Sequence, residues 1–142
     1  MMTHEEIAKI LAICASVDRR QVSQTMIVTW SKALDQTLCF NEATHIVTKY
    51  YAENRHPIMP CDINAMHRDI RQRRVEAYGR IPIPDGLEDE PEVELLWRKN
   101  LILAIQDGHP APDEVAWNAI GREPSNLGPV LSHAPRITRK PL

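Results

Sequence analysis

The sequence has few glycines and lacks any long apolar run. Only five glycines occur among 142 residues, and none forms the GxxxxGK or GxGxxG pattern of a phosphate-binding loop. An ATPase is therefore not expected. No apolar stretch approaches the roughly 20 residues that a transmembrane helix needs, so no membrane span is expected. The N-terminus lacks the features of a signal peptide, and we expect the protein to stay in the compartment where it is made.

The chain contains only three cysteines and no CxxC pair. In an unsecreted protein this pattern predicts reduced thiols, mostly in the core. The candidate Cys and His combinations are Cys39 with His45, and Cys61 with His56 and His67; Cys14 has no such neighbour. None has the short paired spacing of a zinc site. The sequence therefore predicts no metal and no cofactor, and places these imidazoles on the surface.

The charges are unevenly distributed. Residues 1–80 carry 11 basic and 9 acidic residues, a net charge of +2. Residues 81–121 carry 2 basic and 9 acidic residues, a net charge of −7. Residues 122–142 carry 4 basic residues and 1 acidic residue, a net charge of +3. Such blocks are typical of solvated or interacting segments rather than of a core.

The apolar residues recur at three- and four-residue steps, which predicts an all-α fold. The predicted helices cover residues 3–17, 23–35, 41–54, 60–78, 91–106 and 112–120. Residues 1–79 are expected to form a compact N-terminal bundle of about four helices. Two prolines and a turn predict a linker over 80–90. A distal helical hairpin over 91–121 and a flexible basic tail over 122–142 complete the predicted organisation.

Several residues are assigned local roles by this pattern. Thr3 and Glu6 have the spacing of a capping box, and Ser23 and Asn41 are predicted N-caps. The inward face of the fifth helix is predicted to comprise Val93, Leu96, Trp97, Leu101 and Ile105.

The fourth helix carries the strongest candidate contact surface. Arg68, Arg71 and Arg74 are three residues apart, so they project along one side of it. Guanidinium groups bind phosphate or carboxylate through two parallel hydrogen bonds. The alternative interpretation is a solvated helix face with local ion pairs. Trp117, in the short last helix, is a second candidate partner contact, with core packing as its alternative.

The sequence does not predict an enzyme. The acidic residues at 88–94 form a helix start and not an isolated carboxylate pair in an apolar setting. No local pattern supports a Cys/His nucleophile pair.

The first 75 residues resemble a known family. The matching segments are Trp30-Ser31-Lys32-Ala33-Leu34, Ala43 through Tyr50-Tyr51, and Ile58-Met59-Pro60-Cys61-Asp62-Ile63. They are similar to the helical helicase-loader, or replisome-organiser, proteins of bacteriophages and prophages. The resemblance implies an adaptor without ATPase motifs that binds the hexameric replicative helicase and loads it or holds it inactive. It further implies an origin-binding or single-stranded-DNA-binding protein as a second partner, and the cytoplasm of a bacterial host as the location.

Two other functions fit the same sequence. The first is a phage regulator of helix-turn-helix type, with the fourth helix in the DNA groove. The near-neutral charge of residues 1–80 argues against it, since DNA-binding domains are usually basic, and direct DNA binding is expected to be weak. The second is a phage inhibitor of a host factor that uses the acidic segment as a nucleic-acid mimic.

Overall fold

A computed structural model describes residues 1–123, which form six α-helices and contain no strand. The helices are α1 (His4–Asp18), α2 (Gln24–Ala33), α3 (Phe40–Glu53), α4 (Pro60–Tyr78), α5 (Pro91–Gln106) and α6 (Pro112–Ala119). The predicted all-α class is confirmed for this part of the chain. The flexible tail was predicted mainly beyond residue 123, and that part lies outside the described residues. None of the described helices has the length and apolar character needed to cross a membrane.

Two of the three predicted N-caps are confirmed. The Thr3 hydroxyl accepts a hydrogen bond from the Glu6 N–H at 3.1 Å, and the Thr3 N–H donates to the Glu6 carboxylate at 2.9 Å. The Ser23 hydroxyl likewise accepts from the backbone of α2. The prediction for Asn41 is wrong, because α3 already begins at Phe40. The side chain of Leu38, two residues before this start, is also buried.

The end of α2 is set by a residue distant in sequence. The helix stops at Ala33, two residues before the predicted end. The Asn64 side-chain amide donates to the Ala33 carbonyl at 2.9 Å, and its oxygen accepts from the Asp35 N–H at 2.8 Å. Asn64 therefore satisfies backbone groups that a longer α2 would have paired internally.

Contacts divide the chain into two units, Met1–Asp69 and Ile70–Leu142, with the boundary inside α4. The prolines and the turn predicted a linker at residues 80–90. In the structure, Leu87 of that segment is only 1% exposed and belongs to the core of the second unit. The predicted basic tail also began at Arg122, whose guanidinium instead pairs with the Glu90 carboxylate at 2.6 and 3.0 Å.

The core of the first unit is apolar, and α1 packs against α2 and α3. Its buried side chains include Ile7, Ile10, Leu11, Cys14, Trp30, Leu34, Leu38, Ala43, Ile46, Val47, Ile58 and Ile63.

Burial raises the pKa of the Cys14 thiol to about 11, so this thiol stays protonated. Cys39 and Cys61 are exposed, and the prediction that the cysteines lie mostly in the core is wrong. Cys39 is the N-cap of α3, and Cys61 lies in the first turn of α4.

A largely buried ion pair joins Asp18, the last residue of α1, to Arg20. The Asp18 carboxylate accepts hydrogen bonds from the Arg20 guanidinium at 2.5–3.0 Å and from the Tyr51 hydroxyl at 2.5 Å. Arg20 also donates to the Ile58 carbonyl at 2.7 Å, and the Ile58 N–H donates to Tyr51. The guanidinium lies 5.3 Å from the centre of the Trp30 ring, within reach of a cation–π interaction. This network joins the end of α1 to α2, α3 and the segment before α4.

A second polar network surrounds His67. The prediction of a surface imidazole is wrong, since His67 is 1% exposed. Its Nδ1 is hydrogen-bonded to Glu42, and its Nε2 lies 2.8 Å from the Thr37 hydroxyl, which donates to Asp35 at 2.6 Å. His67 follows the buried Ile63 by four residues, so both lie on the inner stripe of α4. Within residues 1–123 no group of three or more His, Cys, Asp and Glu side chains is arranged to hold a metal.

The Asp18–Arg20 pair predicts a specific pH dependence of stability. Hydrogen bonds from Arg20, and then from Tyr51, lower the pKa of Asp18 to about 2, whereas an unfolded aspartate titrates near 3.9. The contribution of the pair to the free energy of unfolding is therefore fully present above about pH 4 and is lost as the pH falls toward about 2. In the Asp18→Asn variant we expect this acid-sensitive part of the unfolding free energy to disappear. We also expect a loss of about 3 kcal/mol at pH 7, because Arg20 is left buried without a counter-charge.

Urea unfolding followed by circular dichroism at pH 7, 5 and 3 measures both effects. Glu53→Gln, which removes one exposed carboxylate from α3, is the matched control and should behave like the wild type. An Asp18→Asn variant whose stability falls with acid as steeply as that of the wild type would contradict the assignment.

Candidate interaction surface

The three candidate arginines of α4 do not form a uniformly available surface. Arg68 is exposed, whereas Arg71 and Arg74 are partly buried. Arg71 donates to the Asp107 carboxylate at 2.5 Å and to the Gln106 side chain at 3.1 Å. Arg74 donates to the Gln106 carbonyl at 2.6 Å. These cations lie at the C-terminal end of α5, where the helix dipole favours positive charge. They connect the second half of α4 to α5.

Gly108 makes the contact between the Arg74 guanidinium and the end of α5 possible. It ends α5 with φ +73°, in the left-handed region that side chains rarely adopt. A Cβ atom at this position would lie 3.2 Å from Cζ of Arg74. The absence of a side chain therefore lets the guanidinium approach the end of α5.

Trp117, the fourth candidate, is a core residue. Its side chain is 2% exposed and contacts Trp97, with ring centroids 5.8 Å apart and an interplanar angle of 55°. The two rings form a core with residues from α4, the 80–90 segment, α5 and α6, comprising Tyr78, Leu87, Leu101, Ile105 and Ala116. A side chain buried in this way is not presented to a partner, and core packing is the interpretation that fits it.

The side of α5 that faces away from this core is also apolar. Leu95, Leu96 and Leu103 are 63%, 47% and 42% exposed, and Ile102 beside them is partly buried. We call these four residues, together with Lys99 between them, the outer face of α5. The prediction that Leu96 points inward is wrong. The bulky Trp97 next to it occupies the core, and successive helical residues diverge by 100°.

The outer face of α5 matters because grouped apolar side chains seldom stay exposed without a reason. Single exposed apolar residues are ordinary, but a contiguous group marks a contact site for a protein or a membrane. The sequence contained the signal in Leu95-Leu96 and Leu101-Ile102-Leu103, because these runs hold more apolar residues than one core-facing stripe needs. The structure thus places on the surface of α5 a group of apolar side chains that the arginine spacing did not indicate.

Comparison with protein-family models, curated proteins and solved structures finds no match to this chain. Its function is therefore inferred from its own residues.

The contact between Gly108 and Arg74 predicts unequal effects for two glycine substitutions. Gly108→Ala and Gly121→Ala both place alanine at a φ near +70°, which costs about 1–2 kcal/mol. Gly121 has no neighbouring atom within 4 Å of an added Cβ, so it is the control for the backbone effect alone. We expect Gly108→Ala to lose up to about 1 kcal/mol more, because Arg74 must leave its hydrogen bond to Gln106. Chemical denaturation measures the difference, and equal losses would show that this contact does not stabilise the second unit.

Proposed function

We propose that this chain is a non-enzymatic adaptor of phage DNA replication that binds the replicative helicase hexamer and loads it or holds it inactive. The observation that supports a protein-binding role is the outer face of α5, where three leucines on one side of the helix are more than 40% exposed. Burying such side chains is the main favourable contribution in most protein–protein contacts.

The choice of helicase as partner rests on the resemblance of the first unit to helicase loaders. The matching residues Trp30, Ile58 and Ile63 are buried. Because these side chains are buried, they support a fold similar to that of the loaders, and other residues must contact the partner. The outer face of α5 lies in the second unit, outside the residues that carry the resemblance. An origin-binding or single-stranded-DNA-binding protein as second partner, and action in the bacterial cytoplasm, belong to the same proposal.

The positions of the arginines support protein binding over DNA binding. Arg71 and Arg74 already donate to Gln106 and Asp107. A DNA phosphate would have to replace these acceptors. Arg68 is exposed, but a single phosphate contact gives only weak, salt-sensitive binding. A phage regulator that reads DNA through α4 is therefore the less favoured function.

The proposal predicts a defined complex with the helicase. The full chain is mixed with the replicative helicase of its phage or host, with and without ATP, and analysed by size-exclusion chromatography with light scattering. We expect a co-eluting complex of fixed stoichiometry and altered helicase ATPase or unwinding activity. Separate elution under every nucleotide condition would refute the helicase as partner.

A parallel measurement tests the DNA-binding alternative. Fluorescence anisotropy of labelled duplex and single-stranded DNA is recorded at several salt concentrations. We expect weak binding that Arg68→Gln reduces only slightly. Tight binding that falls steeply with salt and is lost in Arg68→Gln would favour the DNA-binding function instead.

A further inference from the structure

The second unit contains a small pocket between the end of α4 and the turn that joins α5 to α6. Its volume is about 190 Å³, somewhat more than the roughly 150 Å³ of an apolar cavity that accommodates one benzene molecule. Arg74 and His109 supply polar groups to its lining. The apolar part of the lining comprises Ala77, Tyr78, Ile105 and Pro112. The pocket therefore has room for one compact organic molecule with an apolar and a polar part.

The missing side chain of Gly108 opens the polar side of this pocket. A Cβ atom at this position would lie 3.2 Å from Cζ of Arg74 and 3.4 Å from its Nε and Nη2 atoms. The guanidinium thus borders the pocket beside Gly108, while its Nη1 donates to the Gln106 carbonyl at 2.6 Å. A molecule that approaches Nε and Nη2 from the pocket leaves that hydrogen bond intact.

His109 adds a hydrogen-bond donor to the same pocket. Its Nδ1 accepts a hydrogen bond from the Ala111 N–H at 3.0 Å. A neutral imidazole that accepts at Nδ1 carries its proton on Nε2, so Nε2 is a donor whether the ring is neutral or charged. The side chain is exposed and lines the pocket, and this donor is therefore accessible to a bound molecule.

The charge of the lining indicates which kind of molecule fits. Among the described residues that line the pocket, one is cationic and none is acidic, although residues 81–121 carry a net charge of −7. A guanidinium binds carboxylate or phosphate, and apolar walls favour an anion that has an apolar body. Inorganic phosphate has no such body. The stretch 124–142 contains three Lys or Arg residues and no Asp or Glu, so its side chains lack the complementary charge.

We propose that this pocket binds a small organic carboxylic acid of about the size of benzoate. Its carboxylate accepts hydrogen bonds from the Arg74 guanidinium and from Nε2 of His109. Its apolar body lies against the apolar part of the lining, so that burial of apolar area and charge-assisted hydrogen bonds act together. This inference goes beyond the proposed function and does not depend on a helicase.

The first test varies the ligand. The full chain is titrated with benzoate, and binding is followed by chemical-shift changes of the backbone amides. We expect saturable shifts that are largest near Arg74 and over residues 105–112, with a Kd of about 1 mM or below. Benzamide has nearly the same shape without the charge, and inorganic phosphate has the charge without the ring. We expect each of them to bind about fivefold or more weakly than benzoate.

Two results of this titration would overturn the proposal. The first is benzamide binding as tightly as benzoate, because the charge of the ligand would then have no role. The second is benzoate shifts that do not saturate or that lie outside the pocket.

The second test varies the two polar side chains of the pocket. Arg74→Gln removes the guanidinium, and His109→Ala removes the imidazole. Arg68→Gln, which removes an exposed arginine of the same helix outside the pocket, is the matched control. We expect the affinity for benzoate to fall about tenfold or more in Arg74→Gln and about threefold or more in His109→Ala, and to stay unchanged in the control.

Unfolding curves of the variants accompany this second test. His109 is exposed, so we expect its variant to fold like the wild type. It therefore tests the site even if Arg74→Gln does not fold. An affinity for benzoate that no folded pocket variant lowers would contradict the proposal.

The two glycine variants test the geometry of the pocket independently. Gly108→Ala and Gly121→Ala both add a Cβ atom at a φ near +70°. The added atom at position 108 meets the Arg74 guanidinium, whereas the one at position 121 has no described neighbour within 4 Å. We expect Gly108→Ala to weaken benzoate binding about threefold or more and Gly121→Ala to leave it unchanged. Equal affinities of the two variants would overturn the assignment of Arg74 to the site.

Discussion

The Asp18–Arg20 ion pair constrains the course of the chain through the first unit. A charge removed from water must be paired and hydrogen-bonded, and these side chains are only 5% and 12% exposed. The pair is completed by the Tyr51 hydroxyl and the Ile58 carbonyl, which come from α3 and from the segment before α4. Helices that are far apart in sequence must therefore meet at one point for the charges to be satisfied. Apolar packing alone would tolerate several arrangements of these helices, whereas a paired charge tolerates few.

Local sequence signals predicted the helices well. The ends of α4 and α5, the Thr3 capping box and the Ser23 cap follow from prolines, capping residues and apolar periodicity. These features depend on neighbours within about four residues, and a single sequence displays them directly. The core positions of Trp97, Leu101 and Ile105 were predicted for the same reason.

The failures involve groups that meet only in the folded chain. The early end of α2 depends on Asn64, and the burial of His67 depends on Glu42 and Thr37. The candidate site was missed in a similar way. Arginine spacing drew attention to α4, although Arg71 and Arg74 are used to hold α5. Of the exposed leucines of α5, Leu96 was assigned to the core, because periodicity identifies an apolar side of a helix without showing whether a second apolar side is covered.

The tryptophans give each unit an intrinsic optical reporter. Trp30 lies beneath a guanidinium in the first unit, whereas Trp97 and Trp117 form a contacting pair in the second. All three are at most 4% exposed, so their emission shifts to longer wavelength when water reaches them. Because Trp30 and the Trp97–Trp117 pair lie in different cores, fluorescence can distinguish one cooperative transition from two successive ones. If the units melt separately, one melting temperature would not describe this chain, and a substitution in α5 would alter only the second transition.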